Sequence, residues 1–403
     1  MTAPKSEQRW CAAAAADLLA SLVVTEFRGY DPYDGMNARR LPSWTRRSLL
    51  SRRLLTQAVK RSPVLLQPLL GAPKSVSATT VGYSLLASAR LQRAGGARRQ
   101  ASSVPRMAES VRRLAVVDLP EELAWGSHVD VATRFGFTPA SVPNVVVTAC
   151  AAHGLCAVTS SGLSDERPAL RRVARFITNR LARCTPEGES WIAYTPDEPT
   201  MVHNGSMLGA ATLMRCGEVL GDPDLVERGI KVARTVCAYQ QPDGSWPYAE
   251  HAAGYWADSF HTGFILEALL LAQRHEQSQL LHRALEVGGR HYAEAFFGPQ
   301  GEPWYLPARH YPLDAMSAAQ GLEVLPRLVR VVPEARETRE RLPGWCRLHL
   351  LLPRAHVAYQ VHRRWTDARQ FPRWSVAPIA AALAGLAGLQ EAANGGGPVD
   401  PSS

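Results

Sequence analysis

Three tryptophans recur at nearly regular spacing, and this recurrence constrains the fold more than any other feature of the chain. Trp191, Trp246 and Trp304 are 55 and 58 residues apart, and each is followed within three residues by a tyrosine. A polar loop and then an apolar helix rich in small residues follow each aromatic pair. Repeats of this length are typical of stacked units that cannot bury their apolar faces alone. The repeat unit is predicted to be a helical hairpin.

The helices predicted from hydrophobic periodicity fall into two alternating sets. Those that start near residues 258, 312 and 374 are almost uniformly apolar, whereas 223–240 is amphipathic. A helix that is apolar on all sides is buried, and an amphipathic one lies at the surface. Six helices of each kind predict an all-α fold, an (α/α)6 toroid with an inner barrel and an outer ring. The predicted helices are 8–27, 76–93, 106–117, 145–161, 166–184, 202–220, 223–240, 258–275, 277–296, 312–328, 334–352 and 374–391.

The predicted domain organisation follows from these helices. Residues 1–75 are expected to form an N-terminal helix, a polar loop and a basic amphipathic segment, all packed on the toroid. The toroid itself is expected to span 76–393, because no linker-like stretch divides the repeats. Residues 394–403 are rich in glycine, proline and serine and are predicted to be a disordered tail.

Seven cysteines are present without a C-x-x-C pair. This spacing favours a reduced protein with buried thiols over a disulfide framework or a zinc site, so neither a metal nor a cofactor is expected. The start of the chain lacks the pattern of a signal peptide, and no uncharged run reaches the ~20 residues of a membrane span. A cytoplasmic location is predicted, and peripheral association with the inner membrane face remains an open alternative.

The net charge of +9 is concentrated in one stretch. Between Gly35 and Ala108 there are fourteen basic residues and no acidic one. Within 39–61, arginine pairs at 46–47 and 52–53 flank four leucines, which is typical of a short basic amphipathic helix. Such a helix is compatible with an anionic membrane surface, a protein partner, an anionic substrate or a solvated face. No nucleic-acid partner is predicted.

The strongest candidate site lies at the start of the helix predicted over 258–275. Asp258 is a natural N-cap for this helix, because its side chain can accept a hydrogen bond from a free backbone N–H group. His261 follows three residues later and therefore points the same way. Capping explains the aspartate but not the imidazole, so His261 is the stronger functional candidate.

The loops that enter the inner helices of a hairpin ring meet at one mouth, and these loops carry most of the ionisable groups. Asp258 or Glu250 is predicted to act as a base, and His261 or His203 as an acid. The substrate-binding candidates are Asp130, Arg134, Asn204, Tyr255, Trp246, Trp304, Arg309 and Asp314, and the same funnel is expected to contain His128, Tyr194, Arg373 and Trp374. The arginines among the binding candidates are expected to hold an anionic sugar, and the tryptophans to stack on it.

Several motifs resemble those of known toroid proteins. Gln240-Gln-Pro-Asp-Gly-Ser-Trp246 is similar to the QW motif of squalene and terpene cyclases, whose hairpin ring is shared with prenyltransferases, sugar epimerases and hydrolases. A second resemblance is carried by Gly29–Asn37, Val59–Pro63, Trp125–Asp130 followed by Arg134, Asp258–Phe264 and Tyr311–Asp314. These segments are similar to a little-characterised bacterial family of toroid proteins associated with extracellular polysaccharide biosynthesis. This resemblance covers most of the chain and implies the same fold.

The chain differs from that family at three positions of the funnel. Met316 stands where a histidine is expected two residues after Asp314, and Val131 and Ala132 stand where an aromatic and an amide residue are expected. These differences remove polar groups from the funnel. They imply an altered substrate or a lost activity.

Three functional hypotheses remain open from the sequence. The first is a carbohydrate-active enzyme of epimerase, lyase or hydrolase type that acts on an anionic sugar, in extracellular or secondary-metabolite polysaccharide biosynthesis. The second is a terpene-cyclase-like enzyme acting on a polyprenyl substrate, although the chain lacks the Asp-x-Asp-Asp and Asp-Asp-x-x-Asp motifs. The third is a non-catalytic glycan-binding scaffold.

Overall fold

The computed structural model describes residues 5–95, 102–133 and 136–388. The candidate residue Arg134 and the predicted disordered tail, 394–403, lie outside this range. The helices of the described residues are α1 (Lys5–Val24), α2 (Leu49–Arg61), α3 (Ala78–Arg93), α4 (Val104–Arg113), α5 (Val145–Ser160), α6 (Arg167–Phe176), α7 (His203–Leu220), α8 (Pro223–Ala238), α9 (Ser259–His275), α10 (Gln279–Ala295), α11 (Ala315–Leu328), α12 (Arg336–His349) and α13 (Val376–Gly388).

Six of these helices form a closed inner ring. Helices α3, α5, α7, α9, α11 and α13 each pack on the next, and α13 packs on α3 to close the circle. Helices α1, α4, α6, α8, α10 and α12 form the outer layer, and each packs on one or two inner helices; α1, for example, packs on α13 and α3. The fold is therefore the predicted all-α (α/α)6 toroid.

The inner helices need small residues because they approach each other closely. A Cβ atom on Gly82 of α3 would collide with the carbonyl group of Cys150 in α5, and one on Gly154 of α5 would collide with the backbone of Gly82. Glycine is the only residue that allows two backbones to come this near. The small-residue composition that marked the inner helices in the sequence is thus a packing requirement.

Short antiparallel strands join the helices. They are β1 (Arg28–Gly29), β2 (Ser75–Val76), β3 (Val117–Asp118), β4 (Leu123–Ala124), β5 (Val131–Thr133), β6 (Gly136–Thr138), β7 (Ala182–Cys184), β8 (Ser190–Ile192), β9 (Leu313–Asp314), β10 (Leu351–Leu352), β11 (His356–Val357), β12 (Gln360–Val361) and β13 (Thr366–Asp367). The pairs are β1–β2, β3–β4, β5–β6, β7–β8 and β10–β11, and β12 lies between β9 and β13.

The pairing of β1 with β2 defines a separate structural unit at the mouth of the ring. Gly29 lies opposite Ser75, so residues 30–74 leave the N-terminal end of α3 and return to it. This excursion contains a 3-10 turn at Asp34–Asn37 and helix α2. We call residues 30–74 the cap.

Three predicted helices are shorter in the structure. The helix predicted over 166–184 ends at Phe176, continues as a π-helical turn at Ile177–Leu181 and then becomes strand β7. The helices predicted over 106–117 and 334–352 end at Arg113 and His349, and a short strand begins within four residues of each end. Periodicity cannot separate the end of a helix from a strand of two or three residues, and this explains the error.

Among the described residues, no helix combines the length and the apolar character that a membrane span requires. The apolar core instead follows the interface between the inner and outer helices, with residues such as Leu85, Leu155 and Leu325 fully buried.

A buried ion-pair network ties the inner helices together inside the ring. Arg90 of α3 donates two hydrogen bonds of 2.7 Å to the carboxylate of Glu323 in α11, and a third of 2.9 Å to the carbonyl oxygen of Ala381 in α13. Arg327 contributes a second ion pair to Glu323 at 2.8 Å. Burial alone would raise the pKa of Glu323, but the two guanidinium groups outweigh it and lower the pKa to about 2.

We expect Glu323→Gln to lower the free energy of unfolding by about 3–5 kcal/mol at pH 7, because it leaves two guanidinium groups without their carboxylate. The side chains of Arg90 and Glu323 are only 13% and 10% exposed. The matched control, Glu109→Gln, breaks the exposed pair with Arg113 and should cost less than about 1 kcal/mol. Chemical denaturation of both variants measures the difference.

The same variant makes a prediction about pH. A carboxylate with a lowered pKa stabilises the fold above the pKa of the unfolded chain, and this contribution is lost as the pH falls through the folded value. The stability gap between the wild type and Glu323→Gln should therefore shrink as the pH falls from about 5 towards 2. A gap that is independent of pH would show that Glu323 does not act as a paired carboxylate.

Candidate functional site

A carboxylate–imidazole pair lies at the N-terminus of inner helix α9. Asp258 caps the helix by accepting a hydrogen bond of 3.0 Å at Oδ1 from the backbone N–H of His261, and its Oδ2 accepts a second, of 2.7 Å, from Nδ1 of the same residue. The Asp258 side chain is fully buried, whereas that of His261 is 20% exposed. Because Nδ1 faces a carboxylate, the proton resides on Nδ1 and the lone pair of the neutral ring is on Nε2.

A partly buried tyrosine, Tyr305, lies near this pair. Burial, together with the negative charges of Asp258 and Asp314, raises the pKa of Tyr305. The phenol therefore stays protonated at neutral pH, close to the carboxylate that orients His261.

His261 lines a narrow crevice between the starts of α7 and α9. Tyr248 and Trp256 stack on each other at 5.1 Å, and both present their rings to the edge of the imidazole. Asn204 lines the same crevice, and its buried Oδ1 has no hydrogen-bond partner in the described part of the chain. Nε2 of His261 likewise has none among the described residues.

A second carboxylate–imidazole pair lies at the start of α7. His203 is completely buried, with Nδ1 2.6 Å from the carbonyl oxygen of Pro247 and Nε2 3.0 Å from Oε1 of Glu250. Burial lowers the pKa of His203. Nδ1 is thus bonded to the loop that carries Tyr248, whereas Nε2 lies close to the half-exposed Glu250 carboxylate without forming a hydrogen bond to a described residue.

The cap inserts a third group of ionisable side chains into the mouth. Asp31 is buried and accepts a hydrogen bond of 2.7 Å at Oδ2 from Nε of Arg373, which lies just before α13. The same oxygen lies 3.8 Å from Nε2 of His128. Asp34 accepts hydrogen bonds from the backbone N–H of Asp31 at 2.6 Å and from the Asn37 amide at 3.2 Å.

The pKa values of these ionisable side chains are shifted in different directions. Burial would raise the pKa of Asp31, but the charge of Arg373 outweighs it and lowers the pKa. For Asp34, burial and the adjacent negative charge of Asp31 raise the pKa to about 7. Burial, with a further contribution from Arg373, lowers the pKa of His128 to about 4. At neutral pH the cluster therefore holds an ion pair between Asp31 and Arg373 beside an uncharged imidazole.

Lys60 connects this cluster with the next inner helix. Its Nζ lies 3.0 Å from the hydroxyl group of Tyr33, and Asp314 is among the charges that raise its pKa against the opposing effect of burial. Asp314 caps α11 by accepting hydrogen bonds from the backbone of Met316 at 2.9 Å and Ser317 at 3.4 Å. Its second oxygen accepts a hydrogen bond from Gln360 at 3.1 Å, and burial raises its pKa.

The structure thus brings Asn204, His203, Glu250, Asp258, His261 and Asp314 of the predicted site to the mouth. The site residues predicted from the sequence did not include Lys60 or Tyr305, nor Asp31, Tyr33 and Asp34, whose loop could equally be explained by turn formation. Four of these five lie in the cap, in segments whose composition is also that of turns and of a basic helix. The signal that could have found them is the set of resembling motifs, since Gly29–Asn37 contains Asp31 and Asp34, and Val59–Pro63 contains Lys60.

Several predicted binding residues have other partners in the structure. Oδ1 of Asp130 accepts a hydrogen bond of 2.9 Å from the backbone of Ala140, so the carboxylate holds the β5–β6 region. Tyr255 is exposed and donates a hydrogen bond to Gln241 at 3.0 Å. Arg309 is exposed and bonds to a neighbouring carbonyl oxygen. None of these three side chains lines the crevice of His261.

The two predicted stacking tryptophans differ in their surroundings. Trp246 is buried, packs against Gly288 of α10 and donates a hydrogen bond of 3.0 Å to the carbonyl oxygen of Val236. This indole therefore joins neighbouring hairpins, although it also forms part of the crevice floor. Trp304 is partly exposed and stacks on His310 at 3.8 Å.

A small cavity of about 40 Å³ lies inside the inner ring. Met316, one of the positions that differ from the resembling family, lines it together with Tyr83 and His153. His153 bonds to Thr212 at 3.1 Å, and burial lowers its pKa well below the usual value. No group of histidine, cysteine and acidic side chains in the described residues is arranged to hold a metal ion.

The comparisons with known proteins agree with the architecture. No protein-family model matches the chain, and no curated protein matches it in sequence. A GH76 α-mannanase from Bacteroides thetaiotaomicron has a TM-score of 0.62 and 10% identity, over 80% of this chain and 88% of its own. A possible GH105 member from Salmonella enterica has a TM-score of 0.59 and 13% identity, over 96% and 95%. Cellobiose 2-epimerase from Bacillus thermoamylovorans has a TM-score of 0.60 and 11% identity, over 77% and 87%.

These similarities define the class of fold. The chain is an α/α toroid of the kind found in sugar hydrolases and a sugar epimerase, and the identities of 10–13% extend the similarity no further than the fold. The fold alone does not define the reaction, which depends on the side chains at the mouth of the ring.

The cap cluster predicts opposite pH dependences for two variants. An acid whose folded pKa is raised, such as Asp34, makes stability fall as the pH rises from about 4 to about 7. A histidine whose folded pKa is lowered, such as His128, makes stability rise between about 4 and 6.5. The two contributions oppose each other in the wild type.

Replacing either side chain should reveal the contribution of the other to the pH dependence of stability. Relative to the wild type, we expect the free energy of unfolding of Asp34→Asn to increase with pH over this range, and that of His128→Gln to decrease, each by about 1.4 kcal/mol per pH unit. Urea denaturation from pH 4 to pH 7 measures both slopes. Slopes of the same sign, or no slope in either variant, would contradict this electrostatic description of the cap.

Proposed function

We propose that the protein is a carbohydrate-active enzyme that transfers a proton to or from its sugar substrate through His261. The observation that carries the proposal is the hydrogen bond of 2.7 Å between Asp258 and Nδ1 of His261, which holds the imidazole with Nε2 towards the crevice. Position and tautomer are the two properties that a catalytic histidine requires. Proteins with the same fold include a mannanase and a cellobiose epimerase, which supports this proposal.

In this mechanism Nε2 of His261 accepts a proton from the substrate and can return it. Asp258 stabilises the imidazolium that forms and does not itself contact the substrate, because its side chain is fully buried behind the ring. This assignment differs from the sequence prediction, in which Asp258 or Glu250 is the base and His261 or His203 the acid.

The crevice also offers groups that suit a sugar. The stacked rings of Tyr248 and Trp256 provide aromatic surface against which the apolar face of a sugar ring can pack. Oδ1 of Asn204 is a buried acceptor without a partner among the described residues, and a substrate hydroxyl group would satisfy it.

The groups around His261 favour epimerase or lyase chemistry. Glycoside hydrolysis in its common form uses two carboxyl groups on either side of the scissile bond, one of them protonated. Next to His261, the Asp258 carboxylate is bonded to the imidazole, and Glu250 lies 3.0 Å from Nε2 of His203. An imidazole base backed by a carboxylate is instead suited to abstraction of a proton from carbon. A role in extracellular polysaccharide biosynthesis is part of this proposal and follows from the resembling motifs.

Two variants of the pair test this proposal. We expect His261→Asn to reduce turnover at least about 100-fold, since general acid–base groups contribute 10²–10⁴. Asp258→Asn keeps an N-cap of similar strength but donates to Nδ1 and so imposes the wrong tautomer, and we expect a loss of similar or greater size. The control is His282→Asn, on the exposed surface of α10.

Turnover is measured as deuterium incorporation into a panel of neutral and uronic-acid mono- and disaccharides in D₂O, together with product analysis. Thermal unfolding of the same variants separates chemistry from folding, and the melting temperatures should stay within about 2 °C of the wild type. Saccharide binding without exchange or product would favour a glycan-binding protein. Full activity in both pair variants would refute the role of His261.

A further inference from the structure

Helix α2 presents an apolar stripe to the outside of the molecule. Leu50, Leu54 and Ala58 are four residues apart, and all three are exposed, the two leucines by 67% and 62%. The opposite side of the helix, with Thr56 and Val59, is buried against the cap. A surface helix normally turns its polar face outward, and this one does the reverse.

The orientation of α2 is fixed by contacts on its inner side. The carbonyl oxygens of Val59 and Lys60 accept hydrogen bonds of 3.2 and 3.0 Å from Arg369, and Nζ of Lys60 bonds to Tyr33. The guanidinium group of Arg52 lies 3.9 Å from the ring centre of Phe137 in β6. A capping box at the first turn holds the start of the helix. The stripe therefore cannot rotate inward without breaking these contacts.

The cap that carries the stripe also carries exposed basic side chains. Arg47 and Arg61 flank it at the two ends of α2, and Arg39, Arg40 and Lys74 are exposed elsewhere in the cap. None of these five forms an ion pair with a carboxylate of the described residues. The cap contains two acidic residues, Asp31 and Asp34, and both are buried. The accessible charge of this surface is accordingly of one sign.

We infer that the outer face of α2 docks the protein on an anionic phospholipid bilayer surface. An apolar stripe between cationic side chains is the pattern of a helix that lies in the membrane interface, with its leucines among the acyl chains and its arginines at the headgroups. A protein partner would have to match a surface whose exposed charges are all positive, and a second copy of this chain would bring like charges together. This inference concerns binding and is independent of the proposed reaction.

Sedimentation with lipid vesicles tests the inference. We expect the full chain to bind vesicles of phosphatidylcholine and phosphatidylserine at 0.1 M NaCl, to bind pure phosphatidylcholine much more weakly, and to be released from the anionic vesicles at 0.5 M NaCl. Leu50→Gln with Leu54→Gln should weaken binding at least tenfold. Arg47→Gln with Arg61→Gln should weaken it about fivefold for each side chain removed.

Matched controls carry the same changes on the outer helices. Leu280 and Leu348 are exposed leucines, and Arg228 and Arg283 are exposed arginines, so the corresponding double glutamine variants should bind as the wild type does. Circular dichroism verifies that each variant is folded. Absence of binding to anionic vesicles, or equal binding by the stripe and control variants, would overturn the inference. So would a homodimer, seen by sedimentation velocity, that dissociates when Leu50 and Leu54 are replaced.

Discussion

The need to satisfy free backbone N–H groups at the N-termini of the inner helices underlies the whole mouth of this toroid. A helix leaves its first N–H groups without partners, and at a mouth enclosed by loops side chains must supply the acceptors. Asn144, Asp258 and Asp314 do so for α5, α9 and α11. The inner helices run parallel around the ring, so their N-cap residues lie at the same end of it. The fold alone therefore concentrates polar groups at the mouth.

The cap is held over these helix ends mainly by polar contacts. Arg373 reaches Asp31 across 342 positions of sequence, and Arg369 reaches two carbonyl oxygens of α2. Buried ion pairs contribute little net stability, since desolvation offsets their attraction, but they are costly when only one partner remains. Their effect here is to define the position of the cap. Because these polar contacts fix α2, its leucines at 50 and 54 remain exposed to solvent.

The sequence was sufficient for the ring and for part of the site. The spacing of the tryptophans and the helices rich in small residues predicted the toroid. The N-cap aspartate followed three residues later by a histidine predicted that Asp258 and His261 are neighbours. The contact between Asp31 and Arg373 could not be predicted, because periodicity contains no information about which loop of a closed ring meets which. Trp246 and Asp130 show the opposite difficulty: a residue type suited to ligand binding also serves packing and turn formation, and only the partners distinguish these uses.

The three capped helices provide an internal comparison that bears on His261. In each helix, the N-cap side chain accepts a hydrogen bond from the backbone N–H of the third helical residue, which is Val147 in α5, His261 in α9 and Ser317 in α11. Capping therefore places no demand on that side chain, since an aliphatic residue and a hydroxyl residue serve equally. Of the three, only the N-cap residue of α9, Asp258, also binds the side chain of the third residue, through its second carboxylate oxygen. The imidazole is thus additional to what the fold requires, and the direction of its Nε2 is set by a carboxylate that the fold had already fixed in place.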